Sequence, residues 1–281
     1  WLLRVPSRVY VLRGLRLETE KGLYRSLLRG IERATAACST HIQAVSTSLA
    51  ESYKDLKICA GSKIHVLGSG SSHGVDLSRF SGTDPSETEK LKKALGLGTN
   101  LPVIGFVGRF CLDKGAATIT AVHRHLVSQG VSHQMLVIGR VEDTGQNFDY
   151  SGPTPSAIKF LGQRDDVEKY YPLLDLLLLP TYREGFPNVV LEAASCGVPT
   201  LAYSATGVRD SIVHGVTGIL VPVGDEKAFA LWVEHLLRKP KYRQQLGENA
   251  HSRVAKEFDH RLVIDFSRLF YADLVSDQNR F

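Results

Sequence analysis

The sequence predicts an α/β protein with two doubly wound parallel sheets, the first of which is incomplete. Short apolar runs of strand length alternate along the chain with longer segments of helical pattern, and such alternation is typical of parallel sheets. The polar stretch SGTDPSETEK (81–90) interrupts this alternation, which then begins again. With 281 residues, of which 43% are hydrophobic and 22% charged, the chain can bury one large core or two domains.

The polar stretch sets the predicted domain boundary. Residues 1–80 are expected to form the later part of a first domain, residues 81–260 a complete second domain, and residues 261–281 a last helix. The chain opens with Trp1 and contains one methionine. By symmetry with the second domain, we expect about a hundred further residues of the first domain upstream.

The first part alternates between apolar runs and helical segments. Each apolar run ends at a polar or glycine-containing turn, and Ser46 or Ser48 can cap a helix that runs toward Lys54. Strands are expected at 8–14, 41–46 and 63–70, and a helix at 22–36.

The second part repeats this pattern over a greater length. Asp225 can cap a helix that places Phe229, Val233 and Leu236 on one face, and the polar segment 141–155 is predicted to be a surface loop. Strands are expected at 101–109, 132–139, 157–162, 173–180, 198–203 and 218–222, and further helices at 114–128, 241–257 and 260–277.

The most informative stretch is EGFPNVVLEAASCGVPTLAY. The apolar run before it, 173–180, ends in a proline and predicts a buried strand of a parallel sheet. The loop 181–187 therefore lies beyond the carboxyl end of a strand, where open α/β sheets bind their ligands. Asn188 can cap the following helix, whose free N–H groups would form an anion site. Glu184 and Glu192 then bracket this helix start, although acidic residues also occur there simply to complement the helix dipole.

The string EGFPNVVLEA, followed by Gly197 and Pro199, resembles the nucleotide-sugar motif of the retaining glycosyltransferases of family four. That family has the GT-B fold, with two Rossmann-like domains. The resemblance implies that Glu184 binds hydroxyls of the donor sugar and that Glu192 binds the ribose hydroxyls of the nucleotide. It also assigns the residues between them to the donor site: Gly185, Phe186, Pro187, Asn188, Val189 and Val190.

The segment GFVGRFCLDKG contains neither G-x-G-x-x-G before a helix nor a P-loop, which argues against a dinucleotide or P-loop site. Arg109 follows one predicted strand and Lys114 begins the next helix, so both cations are expected at the crevice. Gly108, Arg109 and Lys114 match the Gly-Arg…Lys-Gly element of the same family. The resemblance implies that the two cations hold the donor phosphates and stabilise the departing nucleoside diphosphate. On the residues alone they could equally be surface cations.

Further segments extend the resemblance over nearly the whole chain. IKFLGQRDDVEKYY is similar to a segment whose loop, here near Leu161 and Gly162, receives the base, and VLGSGSSHGVDLSRF resembles the segment joining the two domains. The opening VYVLRGLRLETEKG resembles the capsular and exopolysaccharide branch, which implies that Arg13 and Gly14 lie on the acceptor side. Many members carry a histidine where Arg13 stands, so this chain departs from the family there. The family also implies that the last helix crosses back to the first domain.

No metal or other cofactor is expected. The chain has no Asp-x-Asp motif, and cationic residues can replace a metal in stabilising a departing diphosphate. The four cysteines are widely spaced, without a C-x-x-C pair, so we expect buried free thiols rather than a zinc site or disulfides.

The net charge of +5 equals the excess of basic over acidic residues within 1–36. Lys21, Arg25, Arg29 and Arg33 recur every four residues and predict a basic stripe along one helix, with the leucines facing elsewhere. The stripe could be a solvated face, or it could bind an anionic membrane surface or a phosphate-bearing acceptor. No run suits a membrane span or a signal peptide, so we expect a cytoplasmic protein, with the inner membrane face as a possible site of attachment.

Together these features predict a retaining glycosyltransferase for cell-surface polysaccharide synthesis. Its expected partners are a nucleoside-diphosphate sugar and a saccharide or polyprenyl-linked acceptor, and no nucleic acid. One alternative is a catalytically silent module that binds the nucleotide sugar without turnover. Another is a sugar-nucleotide epimerase or phosphorylase on the same fold, which would not depend on an acceptor.

Overall fold

The computed structural model describes residues 5–82, 84–98, 100–142 and 158–278. Its strands are β1 (Val9–Leu12), β2 (His41–Ala44), β3 (Ile64–Val66), β4 (Val103–Val107), β5 (Gln134–Ile138), β6 (Ile158–Gly162), β7 (Leu176–Leu179), β8 (Thr200–Tyr203) and β9 (Gly218–Val221). Its helices are α1 (Gly22–Cys38), α2 (Thr47–Asp55), α3 (Pro85–Ala94), α4 (Ala116–Ser128), α5 (Asn188–Ser195), α6 (Val208–Ser211), α7 (Glu226–Arg238), α8 (Pro240–Glu257) and α9 (His260–Gln278). The predicted α/β class is confirmed.

The strands form two sheets whose pairs are all parallel. The first sheet has the order β1-β2-β3, and the second has the order β6-β5-β4-β7-β8-β9. In the second sheet the chain moves outward from β4 in one direction, then returns and continues outward from β7. The strand order therefore reverses between β4 and β7, which makes this point the switch point of the sheet.

Both faces of the second sheet are covered, as a parallel sheet requires. Alternate residues of a strand point to opposite faces, so Ile104 packs with the core beneath α4 and α7, while Val103 packs with the core beneath α5 and α8. The second of these cores continues into the first sheet, where it includes Leu12 and Ile42. The two sheets therefore share one continuous apolar cluster.

Local capping explains several element boundaries. Ser46 accepts a hydrogen bond from the Leu49 N–H and caps α2, and Asp225 caps α7 in the same way through Ala228 N–H, as the sequence predicts. Asp84 caps α3 within the predicted linker. α6, by contrast, is a four-residue helix that the sequence analysis missed.

The last helix lies against the first sheet. The Tyr271 hydroxyl donates to Gln43 Oε1 of β2 at 2.9 Å, and the Phe270 ring packs on His41 and His65. Just before this helix, Val75 N–H donates to the Phe258 carbonyl at 2.9 Å. The chain thus crosses from the first sheet to the second and then returns.

Two of the four residues in the predicted basic stripe on α1 contact the end of α2, although Lys21 and Arg25 are exposed. Arg29 donates to the Leu56 carbonyl and Arg33 to the Lys57 carbonyl, both just beyond the last residue of α2. A helix C-terminus has unpaired carbonyls and a partial negative charge, which attract cations. Several apolar residues of α1 are exposed as well, with Leu23 92% and Ile31 54% accessible.

Three further predictions concern the cysteines, one surface loop and membrane-spanning segments. Cys38 is exposed, Cys59 and Cys196 are half-buried, and Cys111 alone among the four is buried, so the expectation of buried thiols was wrong for Cys38, although all four thiols are free. The predicted loop at 141–155 falls largely outside the described residues. None of the helices in the described part of the chain combines the length and the apolar composition needed to cross a bilayer.

Candidate functional site

A cavity of about 240 Å³ lies at the switch point between β4 and β7. Its floor is formed by the ends of these two strands, and its walls are the turn after β4, the loop after β7 and the first turn of α5. The residues that line it are Phe106, Val107, Gly108, Lys114, Leu179, Glu184, Phe186, Pro187, Asn188 and Val189. Seven of these were assigned to the site from the sequence, and Phe106, Val107 and Leu179 were not.

Lys114 and Glu184 form an ion pair at this cavity. Lys114 Nζ lies 2.5 Å from Glu184 Oε1, and the two side chains are 22% and 19% exposed. An ammonium group has three N–H donors, so two remain for a ligand. Among the described residues, Glu184 Oε2 accepts no hydrogen bond. The pair therefore offers a bound ligand both a cation and a carboxylate oxygen.

The turn that carries Lys114 is held against the end of β7. Lys114 ends a short 3-10 turn (Leu112–Lys114) rather than beginning the helix as predicted, and α4 starts only at Ala116. Between them Gly115 adopts φ +84°, and a Cβ there would collide with the Pro180 carbonyl oxygen. This close approach brings Lys114 across to the loop that carries Glu184.

The start of α5 differs in one detail from the sequence prediction. Pro187 occupies the N-cap position, and Asn188 is the first helical residue, so the predicted cap at Asn188 was wrong. Its side-chain Nδ2 instead lies 2.7 Å from Nε2 of His73, in the loop after β3. The Asn188 and Val189 backbone N–H groups have no acceptor one turn earlier in the helix, so they are available to an anion in the cavity.

Arg109 is not among the residues that line the cavity, and its guanidinium is paired with two carboxylates. Nη1 donates to Glu142 Oε1 at 3.0 Å, and Nη2 lies 3.7 Å from Asp113 Oδ2. Asp113 also receives a hydrogen bond from the Cys111 thiol and faces Arg183 at 3.8 Å. The structure thus brings Lys114 and Glu184 together but does not bring Arg109 to the same place.

The groups around Asp113 keep its carboxyl group ionised. Burial acts to raise the pKa of Asp113, but the thiol hydrogen bond and the charges of Lys114, Arg109 and Arg183 outweigh it and hold the pKa below its ordinary value. Burial raises the pKa of the Cys111 thiol to about 11, so it remains a proton donor. Asp113 is therefore a stable carboxylate that competes with any ligand for Arg109.

Glu192 lies on the second turn of α5 and does not line the cavity. It is half-buried, and its Oε2 accepts a hydrogen bond of 2.6 Å from the Tyr171 hydroxyl. Burial raises the pKa of Glu192 above its ordinary value, while the Tyr171 hydrogen bond and Arg79 oppose that rise. Glu192 Oε1 has no hydrogen-bond partner within the described residues. A carboxylate oxygen without a hydrogen-bond partner retains the capacity to accept a hydroxyl hydrogen bond.

The remaining predicted residues lie around the cavity. Val190 is buried in α5, and Leu161 and Gly162 end the edge strand β6, away from the cavity lining. Arg13 and Gly14 follow β1 and contact the loop after β7. The Arg13 carbonyl oxygen lies so close to Gly185 of that loop that a Cβ at Gly185 would collide with it. The loop ends of the two sheets therefore meet directly beside Glu184.

His73 is the contact that the sequence analysis missed. Its signal was the polar loop GSGSSHG at the carboxyl end of β3, facing the same cleft as the loop after β7. Carboxyl ends of parallel strands collect functional side chains, so this histidine was a candidate on position alone.

Two parallel sheets whose carboxyl ends face one cleft define the GT-B fold. The chain superposes on the crystal structure of Anabaena Alr3699/HepE in complex with UDP-glucose with a TM-score of 0.80 and 22% identity, over 95% of this chain and 72% of that chain. Residues 87–253 match the family model described as Glycosyl transferases group 1. The chain belongs to this family.

Named relatives agree with this assignment. The chain is 35% identical over 263 residues to the capsular polysaccharide biosynthesis glycosyltransferase CapM of Staphylococcus aureus, covering 92% of this chain and 68% of that protein. It is 28% identical over 193 residues to the N-acetyl-alpha-D-glucosaminyl L-malate synthase of Bacillus anthracis, covering 68% of this chain and 50% of that protein. The chain thus spans about two thirds of the first relative and half of the second.

Proposed function

We propose that this protein transfers a sugar from a nucleoside-diphosphate-sugar donor, with retention of configuration, to a saccharide or lipid-linked saccharide in cell-surface polysaccharide synthesis. The observation that carries the proposal is the Lys114–Glu184 pair beside the free N–H groups of α5, at the switch point of the sheet. A diphosphate needs cations and N–H donors, and a sugar needs a hydroxyl acceptor. This cavity offers all three.

Each group has a distinct role in this proposal. Lys114 keeps its bond to Glu184 and donates its remaining N–H groups to the diphosphate, while the N–H groups of Asn188 and Val189 bind the same anion. Glu184 Oε2 accepts a hydroxyl of the donor sugar. Glu192 Oε1 accepts a ribose hydroxyl further along the cleft. The HepE structures contain UDP and UDP-glucose, which favours a uridine nucleotide as donor.

The proposed transfer breaks one bond, forms one bond and moves one proton. The bond between the anomeric carbon and the phosphate oxygen breaks, and its electron pair stays on the diphosphate. The acceptor oxygen forms the new bond to the anomeric carbon on the same face, and its proton passes to the departing phosphate oxygen. Lys114 and the α5 N–H groups stabilise the negative charge that develops on the diphosphate. We propose that these groups suffice without a metal ion.

The test is turnover by the full-length protein. The protein is incubated with UDP-glucose, UDP-galactose or UDP-N-acetylglucosamine, with and without bacterial lipid extract, and the products are analysed by mass spectrometry. We expect a glycosylated lipid or saccharide that forms only when an acceptor is added, and equal activity in EDTA. A changed sugar nucleotide without acceptor would support the epimerase alternative. Binding of UDP-sugar with no product in any mixture would support the silent module.

The location of the protein in the cell depends on whether its acceptor is linked to a lipid. A lipid-linked saccharide would bring the protein to a membrane surface, and we propose the cytoplasmic side. The exposed apolar residues of α1, rather than its arginines, would then be the groups that contact the membrane.

A further inference from the structure

A second recess lies on the other side of the loop 181–187. Its volume is about 360 Å³, and it is bounded by the segment before α1, the end of α2 and the loops after β7, β8 and β9. We call it the polar groove. Its lining includes the polar side chains of Glu18, Arg25, Ser52, Asp55, Tyr182 and Ser204.

Several polar groups of this groove are free to bind a ligand. The side chains of Ser52, Asp55 and Ser204 and the Tyr182 hydroxyl make no hydrogen bond to the described part of the protein. The Tyr182 ring is 37% exposed and packs on Tyr203 with ring centroids 5.7 Å apart, so its position is fixed. The apolar face of the ring can pack on the C–H groups of a ligand. The neighbouring hydroxyls and carboxylates can form hydrogen bonds with hydroxyl groups of the same ligand.

The charge of the groove indicates what kind of ligand this is. Glu18 and Asp55 contribute two carboxylates, and Arg25 contributes one guanidinium, so the lining has an excess of negative charge. Arg25 Nε already donates to the Leu17 carbonyl. Glu18 Oε1 accepts from Thr206 at 2.9 Å, and its other oxygen remains available. The net negative charge of this lining disfavours a phosphate relative to a neutral polyol, which would find acceptors for its hydroxyls.

The groove and the donor cavity are connected by a single loop. Tyr182 lines the groove, and Glu184, two residues later, lines the cavity. The loop has fixed contacts at two points. Tyr182 N–H donates to the Asp113 carbonyl at 3.2 Å. The Gly185 carbonyl oxygen packs so closely on Gly207 that a Cβ there would collide with it. The same loop therefore forms part of the groove and carries the group that is expected to hold the donor sugar.

We propose that the polar groove binds the acceptor, and that the part of the acceptor it holds is an uncharged sugar residue rather than a phosphate. This inference rests on the proposed function, because an acceptor exists only if the protein transfers a sugar. Asp55 and Ser204 bind hydroxyls of that sugar, and Tyr182 packs against its ring.

The experiment measures sugar binding and nucleotide binding separately on the same protein. Saturation-transfer NMR is recorded for the full-length protein with methyl α-D-glucopyranoside, methyl α-D-galactopyranoside and methyl N-acetyl-α-D-glucosaminide, each with and without UDP. Glucose 6-phosphate serves as the anionic counterpart. UDP affinity is measured by calorimetry. We expect at least one neutral glycoside to bind more tightly than glucose 6-phosphate.

The variants Asp55→Asn and Ser204→Ala test the assignment to the groove. Each removes one ligand-facing group that has no partner within the described structure, so folding should be retained, and circular dichroism verifies it. We expect each to weaken glycoside binding by about threefold to tenfold. The matched control is Glu51→Gln, an exposed carboxylate on the same helix as Asp55 but outside the groove, which should change nothing.

The outcomes separate this inference from the proposed function. If UDP binds but no neutral glycoside does, or if both groove variants bind glycosides like the wild type, the groove is not the acceptor site. Tighter binding of glucose 6-phosphate would overturn the preference for an uncharged sugar. Loss of UDP binding in the wild type would instead contradict the donor site.

Discussion

The cavity at the switch point and the polar groove lie on two sides of one loop, yet their polar groups are arranged differently. In the cavity, Lys114 and Glu184 already hold each other at 2.5 Å. In the groove, Asp55 and Ser204 have no partner in the described structure. Groups that are held in place before a ligand arrives lose little conformational entropy on binding. Groups without a partner must be ordered on binding and exchange their hydrogen bonds to water for bonds to the ligand, so the net gain in binding free energy is small. If the two proposals hold, the cavity should bind its ligand more tightly than the groove, whose groups can adapt to the ligand.

The largest effect should come from breaking the held pair. Lys114→Ala removes the cation from the cavity, and a charged hydrogen bond contributes about 1.5–3 kcal/mol. UDP affinity should therefore fall by about tenfold to a hundredfold, measured by calorimetry in EDTA. The matched variant is Arg109→Ala, because Arg109 is nearby but paired with Glu142 and Asp113. Equal losses in both variants would show that Arg109 leaves its partners when the nucleotide binds. Unchanged UDP affinity in Lys114→Ala would show that Lys114 does not contact the diphosphate.

The two glutamates should separate by role. Glu192→Gln should weaken UDP binding by up to about tenfold, because its open oxygen is expected to face the ribose with or without a sugar. Glu184→Gln should leave UDP affinity nearly intact and lower turnover of the UDP-sugar. The measurements are calorimetry with UDP and steady-state turnover with the donor that proves active. The reverse pattern would mean that the two assignments are exchanged.

Glu192 should also affect stability, with a defined pH dependence. Because burial raises the pKa of the folded state, the folded protein binds a proton more readily than the unfolded one, and its stability falls as pH rises through that raised pKa. At neutral pH the buried charge is a cost that Glu192→Gln removes. The variant should melt at a higher temperature than the wild type at pH 7, and the difference should shrink toward pH 4.5. A lower melting temperature at pH 7 would contradict the burial argument.

The smallest effect concerns the arginines of α1. Arg29→Gln with Arg33→Gln removes the cations at the C-terminus of α2, which contribute about 0.3–1 kcal/mol each. The melting temperature should fall by a few degrees at most. Lys21→Gln is the control, because the Lys21 side chain has no hydrogen-bond partner in the described structure. A double variant that melts like the wild type would show that these contacts are not made in solution.

The same variants bear on membrane attachment. If attachment occurs, it should depend on exposed apolar residues of α1 such as Leu27, because the arginines have carbonyl partners. Co-sedimentation with vesicles of anionic lipid should then persist at 1 M salt, where the Debye length is about 3 Å. Loss of co-sedimentation at high salt, together with loss in the double arginine variant, would restore the electrostatic hypothesis.

Much of the fold could be predicted because local patterns determine it. The alternation of strands and helices, the caps at Ser46 and Asp225, and the loop beyond β7 depend on residues within a few positions of one another. The direction of the Arg109 side chain could not be predicted, since its partner Glu142 is 33 positions away. Periodicity showed that α1 has a basic side but not which side faces α2. Likewise, the Asn188–His73 contact joins loops from the two sheets.

The return of the chain through α9 affects how copies of this protein can associate. The second sheet is inserted between the first sheet and a helix that packs back on it, through Tyr271 and Phe270. Domain swapping exchanges one element between neighbouring copies, usually by opening a single hinge. Exchange of the whole second sheet would require two connections to open together, one at 81–90 and one before His260. The double crossing therefore opposes exchange of that sheet and leaves α9 as the element that a single opened connection could release.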